Sequence, residues 1–306
     1  NMPNWVIAYF SVVSKGMIIV PVLPDFTRQE VENVLMHSEA KVLFVSERLQ
    51  SRVDGLELPD LIGKISVEEF KVLMGGDLSE SDVSKVDEIQ VEEDDTAAII
   101  YTSGTTGRSK GVVLSHKSIA FTAMQSYTFC AISHEDIFLS FLPLSHTYEN
   151  TIGMLYPIMY GASIYYLEKP PTASSLIPAL KKIRPTMMLS VPLIMEKLYK
   201  SQIQAKFTKT RFTRIIYKAL LFRKLIHRIA GKKLYETFGG RLRFFGIGGA
   251  KLDSRVERFL KEAKFPYAIG YGLTESLATV SCNDITKPYT IGSVGRLVDG
   301  LEIKII

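Results

Sequence analysis

Helix-like and strand-like periodicities alternate from the first residues of this chain, and that alternation limits its fold more than any other feature. The apolar spacing from Asn4 to Ser14 predicts a helix. Gly16 then leads into Met17 to Val22, a largely β-branched run bounded by proline, which predicts a strand. Thr27 with Glu30 three residues later is a capping-box pattern, so a helix is expected to about Ser38, followed by a buried strand over Lys41 to Ser46. From Gln50 to Asp95 the pattern weakens into surface connection around one short helix near Val67 to Met74. Strands are then predicted at Thr96 to Tyr101, Gly111 to Leu114, Ser163 to Leu167, Met187 to Val191, Leu242 to Gly246 and Tyr267 to Tyr271. Helices are predicted at Lys117 to Phe129, Ala173 to Ile183 and Asp253 to Ala263. The sum is a layered α/β chain with parallel pairing and no internal repeat.

With 306 residues, 46% of them hydrophobic and 23% charged, the chain can bury one large core or two medium ones. Its apolar runs are too short or too interrupted for a membrane-spanning helix. The opening Asn1-Met2-Pro3-Asn4-Trp5 lacks the pattern of a signal peptide. Cys130 and Cys282 lie far apart without metal-ligand spacing, which argues against a disulfide framework or zinc site and favours a reducing cytoplasm. The net charge of +5 is unevenly spread. Acidic residues gather between Glu80 and Asp95, read as a solvated connection.

Cations gather between Lys197 and Arg243, in a stretch that also carries Phe212, Ile215, Ile216, Tyr217, Leu220, Leu221, Phe222, Leu225 and Ile226 at helical spacing. Such a helix could lie on an anionic membrane through Arg214, Lys218, Arg223 and Lys224, or could simply cover the core with its cations solvated. No nucleic-acid recognition motif accompanies it.

The segment Tyr101-Thr102-Ser103-Gly104-Thr105-Thr106-Gly107-Arg108-Ser109-Lys110-Gly111 carries three glycines, five Ser/Thr hydroxyls and two cations. Glycines let backbone N–H groups close on phosphate oxygens, hydroxyls donate further hydrogen bonds, and Arg108 or Lys110 offsets charge. A Walker loop is excluded, because Gly107 precedes Arg108 and Lys110 precedes Gly111. Val112-Val113-Leu114 follows, so the loop is expected to join two strands and to hold an anion without a helix dipole. A flexible turn of the same composition is the alternative.

Across these eleven residues the segment resembles the phosphate-binding signature of the adenylate-forming superfamily. Three further segments extend the resemblance in order. Pro143-Leu144-Ser145-His146-Thr147-Tyr148-Glu149 is similar to the family segment beside the acyl pocket, in the version most like long-chain acyl-CoA synthetases. Gly246-Ile247-Gly248-Gly249-Ala250 resembles the turn that passes along adenine and the acyl carboxylate. Gly270-Tyr271-Gly272-Leu273-Thr274-Glu275-Ser276 resembles the adenine-binding motif. Gly292-Ser293-Val294-Gly295-Arg296 is similar to the next motif, at the start of a small β-barrel.

The resemblance implies a layered αβαβα domain with two sheets flanked by helices, divided at 1–132, 133–288 and 289–306, the last beginning the barrel. A mobile C-terminal domain is expected to be absent, since neither its reactive lysine nor the barrel's ribose-binding aspartate has a motif before Ile306. By the same resemblance Thr102, Lys110 and Glu275 are catalytic, with Thr102 and Glu275 on Mg²⁺. ATP is held by Thr102, Ser103, Gly104, Thr105, Thr106, Gly107, Lys110, Gly248, Gly249, Ala250, Gly270, Tyr271, Gly272 and Thr274. The acid meets His146, Tyr148, Gly248 and Gly272, and coenzyme A is the acceptor. Asn150 stands at roughly the place where some members of the family carry a gating tryptophan, a departure from that pattern. The expected reaction is fatty acid activation to acyl-AMP and pyrophosphate, then thioester formation, with little turnover by this chain alone. An aryl- or amino-acid ligase, or a non-reacting ATP-binding module, is the rival.

Overall fold

The computed structural model describes residues 1–75, 89–102, 109–204 and 220–304. Their contacts divide them into two units, Asn1–Phe121 with Pro143–Thr147, and Thr122–Leu142 with Tyr148–Ile306.

In the first unit, helix α1 (Pro3–Val13) starts on a proline, whose missing N–H costs nothing there. Helix α2 (Arg28–His37) has the expected capping box, with the Thr27 hydroxyl taking the Glu30 N–H and Glu30 taking the Thr27 N–H at 2.7 Å. Strand β1 (Val42–Val45) pairs in parallel with β2 (Gly63–Ser66), and β3 (Val72–Met74) pairs antiparallel to β2. Phe26, Val31, Val34, Leu35, Val45, Val53 and Tyr101 form the core beneath them.

The strand expected over Lys41 to Ser46 forms at Val42–Val45, but only Val45 of it is buried. Two further expectations in this unit are corrected. Met17 to Val22 makes no strand; only Ile19 bridges Ala98, because Pro21 has no N–H to donate and Met17 and Ile18 turn toward solvent. Val67 to Met74 is no helix. It is a turn with Phe70 at φ 54°, closed by the Ser66 N–H on the Lys71 carbonyl at 2.8 Å, and then β3.

A separate hairpin joins β4 (Thr96–Thr102) to β5 (Lys110–Ser115), antiparallel, with helix α3 (His116–Gln125) following. The chain between them therefore does connect two strands, as the β-branched run after it predicted.

The second unit is built on a seven-stranded sheet. Strands β6 (Ile137–Ser140), β7 (Ser163–Tyr166), β8 (Met187–Ser190), β9 (Phe244–Ile247) and β10 (Tyr267–Tyr271) are parallel in the order β10-β9-β8-β6-β7. Beyond β10 run β11 (Ser281–Cys282) and β12 (Arg296–Leu297), both antiparallel to their neighbours. All four residues of β8 and of β9 are buried, as parallel strands covered on both faces require.

The connections carry α4 (Tyr156–Met159), α5 (Ala173–Ile183), α6 (Pro192–Leu198), α7 (Leu220–Thr237) and α8 (Ser254–Ala263). Helices α7 and α8 cross so closely that a Cβ on Gly231 would strike the side chain and backbone of Ala263. The architecture is thus α/β with sheets flanked by helices, as expected. Strand β6 has no counterpart among the sequence expectations.

The expectation for the basic stretch needs correcting in its faces. Phe212, Arg214, Ile215, Ile216, Tyr217 and Lys218 lie outside the described residues. Within α7, Arg223 is no free cation, since it donates two bonds to Glu262 of α8, the shorter at 2.7 Å. His227 is buried beside the same carboxylate. The outward residues are Phe222, Leu225 and Ile229, each more than half exposed. Among the described residues no helix is long and apolar enough to cross a membrane.

Candidate functional site

In the first unit the candidate site is the end of the β4–β5 hairpin. Thr102 closes β4 and pairs with Lys110, the first residue of β5. Thr102 is half-buried and Lys110 is exposed. Tyr101 lies opposite Gly111, where a Cβ would come within 2.9 Å of Ile99 and 3.3 Å of the Tyr101 ring. The Tyr101 phenol also shares a 2.7 Å hydrogen bond with His37 Nδ1 of α2. The two strand ends are therefore held in register on either side of Ser103, Gly104, Thr105, Thr106, Gly107 and Arg108, which lie outside the described residues. His146 belongs to this unit too. Its N–H closes a turn on the Pro143 carbonyl at 3.0 Å, and desolvation of the ring lowers its pKa although part of the residue reaches water.

In the second unit, β9 and β10 are parallel neighbours with Ile247 opposite Ile269. Gly248, Gly249 and Ala250 thus leave β9 beside Gly270, Tyr271 and Gly272 at the end of β10. Both segments emerge at the carboxyl edge of the sheet, where open α/β folds bind ligands. Gly248 is anchored by its N–H on the Ser190 carbonyl of β8 at 3.1 Å, and Gly249 turns the chain at φ 82°.

The ring of Tyr148 lies over this turn. A Cβ on Gly248 would sit 3.3 Å from its Cζ, and one on Gly246 would sit 2.8 Å from its Oη. Burial raises the phenol well above the usual tyrosine range, so it stays a donor.

After β10 the chain folds back tightly. The Leu273 N–H bonds the Ser276 hydroxyl at 2.9 Å, the Ala278 N–H bonds the Leu273 carbonyl at 2.9 Å, and the Val280 N–H bonds the Tyr271 carbonyl at 2.8 Å. Leu277 and Ala278 both take positive φ, 52° and 75°, a strained conformation that side chains adopt only when their surroundings impose it. Held by this turn, Tyr271 and Glu275 are exposed and Thr274 is half-buried. An exposed aromatic face, a hydroxyl and a carboxylate at one strand end can stack a base and meet a phosphate and its counter-ion.

Among the described residues no three His, Cys, Asp or Glu side chains gather to hold a metal. Cys130 and Cys282 are free, and desolvation pushes both thiols up to about 12, so neither is a nucleophile at neutral pH.

Sequence reasoning assigned no role to Glu149. It is buried beside Ser140, with its pKa pushed up to about 8 by desolvation and partly restored by the Ser140 hydroxyl. The signal available in sequence was only its place at the end of the Pro143-to-Glu149 segment.

The family model described as AMP-binding enzyme matches residues 1–306. The chain is 29% identical to long chain acyl-CoA synthetase 6, peroxisomal, of Arabidopsis thaliana, over all of this chain and 47% of that protein. Among solved structures it superposes on the anthranilate CoA ligase AuaEII in complex with anthranoyl-AMP with a TM-score of 0.76 at 20% identity. That match covers 100% of this chain and 54% of the other. For O-succinylbenzoate coenzyme A synthetase from Bacillus subtilis, in complex with ATP and magnesium ion, the TM-score is 0.72 at 20% identity, covering 100% and 55%. The chain spans about half the length of the curated relatives it matches.

Proposed function

Since this chain belongs to the AMP-binding enzyme family, we propose that it is the nucleotide- and acid-binding part of a ligase that joins a fatty acid to coenzyme A through an acyl-adenylate. One carboxylate oxygen of the acid attacks the α-phosphorus of ATP in line, the bond to the β-phosphate oxygen breaks, and pyrophosphate leaves with the electron pair. The thiol sulfur of coenzyme A then attacks the acyl carbon and AMP leaves. No covalent enzyme intermediate is required, so the protein positions the reactants and neutralises charge.

In this reading Tyr271 stacks on adenine, Thr274 meets the α-phosphate, and the backbone of Gly248, Gly249, Ala250, Gly270 and Gly272 lines the base and the carboxylate. Thr102, Lys110 and residues 103–107 hold the β- and γ-phosphates. His146 and Tyr148 border the acid. The Glu275 carboxylate and the Thr102 hydroxyl are each suited to hold Mg²⁺, which when bound would supply positive charge opposite the pyrophosphate.

The observation that carries the reading is the shared exit of the β9 turn and the β10 motif at the carboxyl edge of one parallel sheet. Several long-chain acyl-CoA synthetases among the relatives favour a fatty acid, although a 4-coumarate–CoA ligase-like protein of Arabidopsis thaliana is 28% identical over 98% of this chain.

The chain by itself is proposed to form adenylate poorly, since its relatives are about twice as long. We also propose cytoplasmic residence with peripheral membrane contact through the outer face of α7.

The test is ATP–pyrophosphate exchange by the full-length protein with short, medium and long fatty acids and with aromatic acids. Exchange that rises with acyl length is the expected result. Exchange driven only by aromatic acids would move the assignment to an aryl ligase. ATP binding without acid-dependent exchange would reduce the protein to a nucleotide-binding module.

A further inference from the structure

Glu149 is 2% exposed and opens a π-helical turn, Glu149–Leu155, a rare form that collects at functional sites. Its carboxyl folds back over Gly153. A Cβ there would lie 2.7 Å from Cδ and 2.8 Å and 2.9 Å from the two oxygens, so only glycine leaves room for the group. The Ser140 hydroxyl, at the carboxyl end of β6, hydrogen-bonds the same carboxyl. Oε2 has no hydrogen-bond partner among the described residues. The residue before it, Tyr148, already has helical dihedrals, φ −60° and ψ −50°, so the first turn sets the direction of its Cβ.

We propose that Glu149, seated on Gly153 and tied to Ser140, is a positioning residue that fixes the phenol of Tyr148 against the glycine turn after β9. A π turn holds one residue more than an α turn. If it relaxes to α geometry, everything before it rotates by about 100° about the helix axis. Tyr148 would then swing off Gly246 and Gly248, and the turn would lose the ring that lies over it. A seated Glu149 keeps the wider turn open, because its carboxyl occupies the space above Gly153 and is bound to a strand that cannot follow the rotation.

The effect on turnover rests on the ligase reading, whereas the effect on the glycine turn does not. The test compares Glu149→Gln, Glu149→Ala and Gly153→Ala in the full-length protein. It reads backbone hydrogen exchange over 244–250 together with KM and kcat for a long-chain acid. Glu149→Ala and Gly153→Ala should speed exchange at Gly246 to Ala250 while β6 and β8 stay protected. Both should raise KM for the acid by about tenfold, the scale of one buried hydrogen bond, and lower kcat less. Glu149→Gln keeps the shape, a donor and an acceptor, and should match the wild type in both readouts.

Wild-type exchange over 244–250 in Glu149→Ala would overturn the proposal, as would a Gln variant as impaired as the Ala variant. Should Glu149→Ala fail to fold, Gly153→Ala and Glu149→Gln decide it by the same readouts. Absence of acid-dependent turnover in the wild type would remove the ligase reading alone, and the exchange measurement would still decide the role of Glu149.

Discussion

An ideal Cβ on Gly272 would fall against the Ala278 carbonyl and within 2.7 Å of the Thr279 nitrogen, both backbone atoms of the turn that presents Thr274 and Glu275. Neither atom can rotate away as a side chain would. Gly272→Ala should therefore cost about 1–3 kcal/mol by overpacking, and should weaken ATP binding because the turn must shift. Gly292 makes the comparison clean. It has φ 87° but nothing within 4 Å of its Cβ position, so Gly292→Ala should cost only the smaller strain of a left-handed alanine and leave ATP affinity intact. Thermal unfolding and ATP titration of the two variants would separate a steric requirement from a conformational one. Equal ATP affinity in Gly272→Ala and wild type would show that the turn after β10 does not govern the nucleotide.

At the level of elements, the N-terminal ends of three neighbouring strands are tied together by Asp136, just before β6. Its carboxylate is 1% exposed and receives two bonds from Arg243 before β9, at 2.8 Å and 2.9 Å, and one from the Thr186 hydroxyl before β8 at 2.7 Å. Arg243→Ala leaves a buried carboxylate short of its cation. The loss should fall near the low end of the about 3–5 kcal/mol expected for a broken buried pair, because the guanidinium is half-exposed. A chemical-denaturation midpoint unchanged from wild type would contradict this.

The outer face of α7 invites a second experiment. Phe222, Leu225 and Ile229 recur at helical spacing opposite buried His227 and Leu234, with Lys224, Arg228 and Lys232 exposed beside them. Replacing the three apolar residues by serine should reduce binding to phosphatidylserine vesicles without lowering stability, since none of them is in the core. Undiminished vesicle binding would remove the proposed membrane contact.

The same elements explain what could be read from sequence. The α2 capping box, the bounds of α5 and β10, and the strand-to-strand setting of residues 102–110 were legible, because each is written in local chemistry. Strand β6 was not, because Ile137 to Leu142, apolar but for Ser140 and without a β-branched residue after Ile137, fits a buried helix segment as well as a strand, and its pairing comes from β7 and β8. The glycine segments at 246–250 and 270–276 were legible as candidates. Glu149 was not, because its burial depends on Gly153 and on Ser140 in the unanticipated strand. The faces of α7 were misjudged because Arg223 finds Glu262 only through tertiary contact.

Over the whole molecule, buried carboxyls and capped carboxylates pull stability in opposite directions along the pH scale. The pKa of Asp253 is lowered to about 2 by its bonds to the Arg255 side chain and backbone, and those of Asp284 and Glu30 are lowered by bonds to Thr286 and Thr27. These groups stabilise the fold above their unfolded pKa values and lose that contribution as the pH falls through the folded ones. They are exposed enough that the effect is small.

Glu149 acts in the other sense. Burial raises it to about 8. Below the ordinary glutamate pKa both states hold the proton; above about 8 neither does; between the two the folded state holds a proton that the unfolded state has released. In that window the unfolded state binds fewer protons, so stability declines as the pH rises, at a limiting slope of about 1.4 kcal/mol per pH unit. Glu257, raised by burial against its bond to Gly292, adds to the same slope. His227, whose pKa burial lowers, pulls the other way below the ordinary histidine value, so the unfolding temperature of the second unit should fall from about pH 6.5 to pH 8. Glu149→Gln, which cannot ionise, should be flatter over that interval and gain on the wild type most at its alkaline end. Parallel profiles for the two proteins would mean that Glu149 is ionised in the fold, and the neutral, hydrogen-bonded carboxyl over Gly153 would then have to be abandoned.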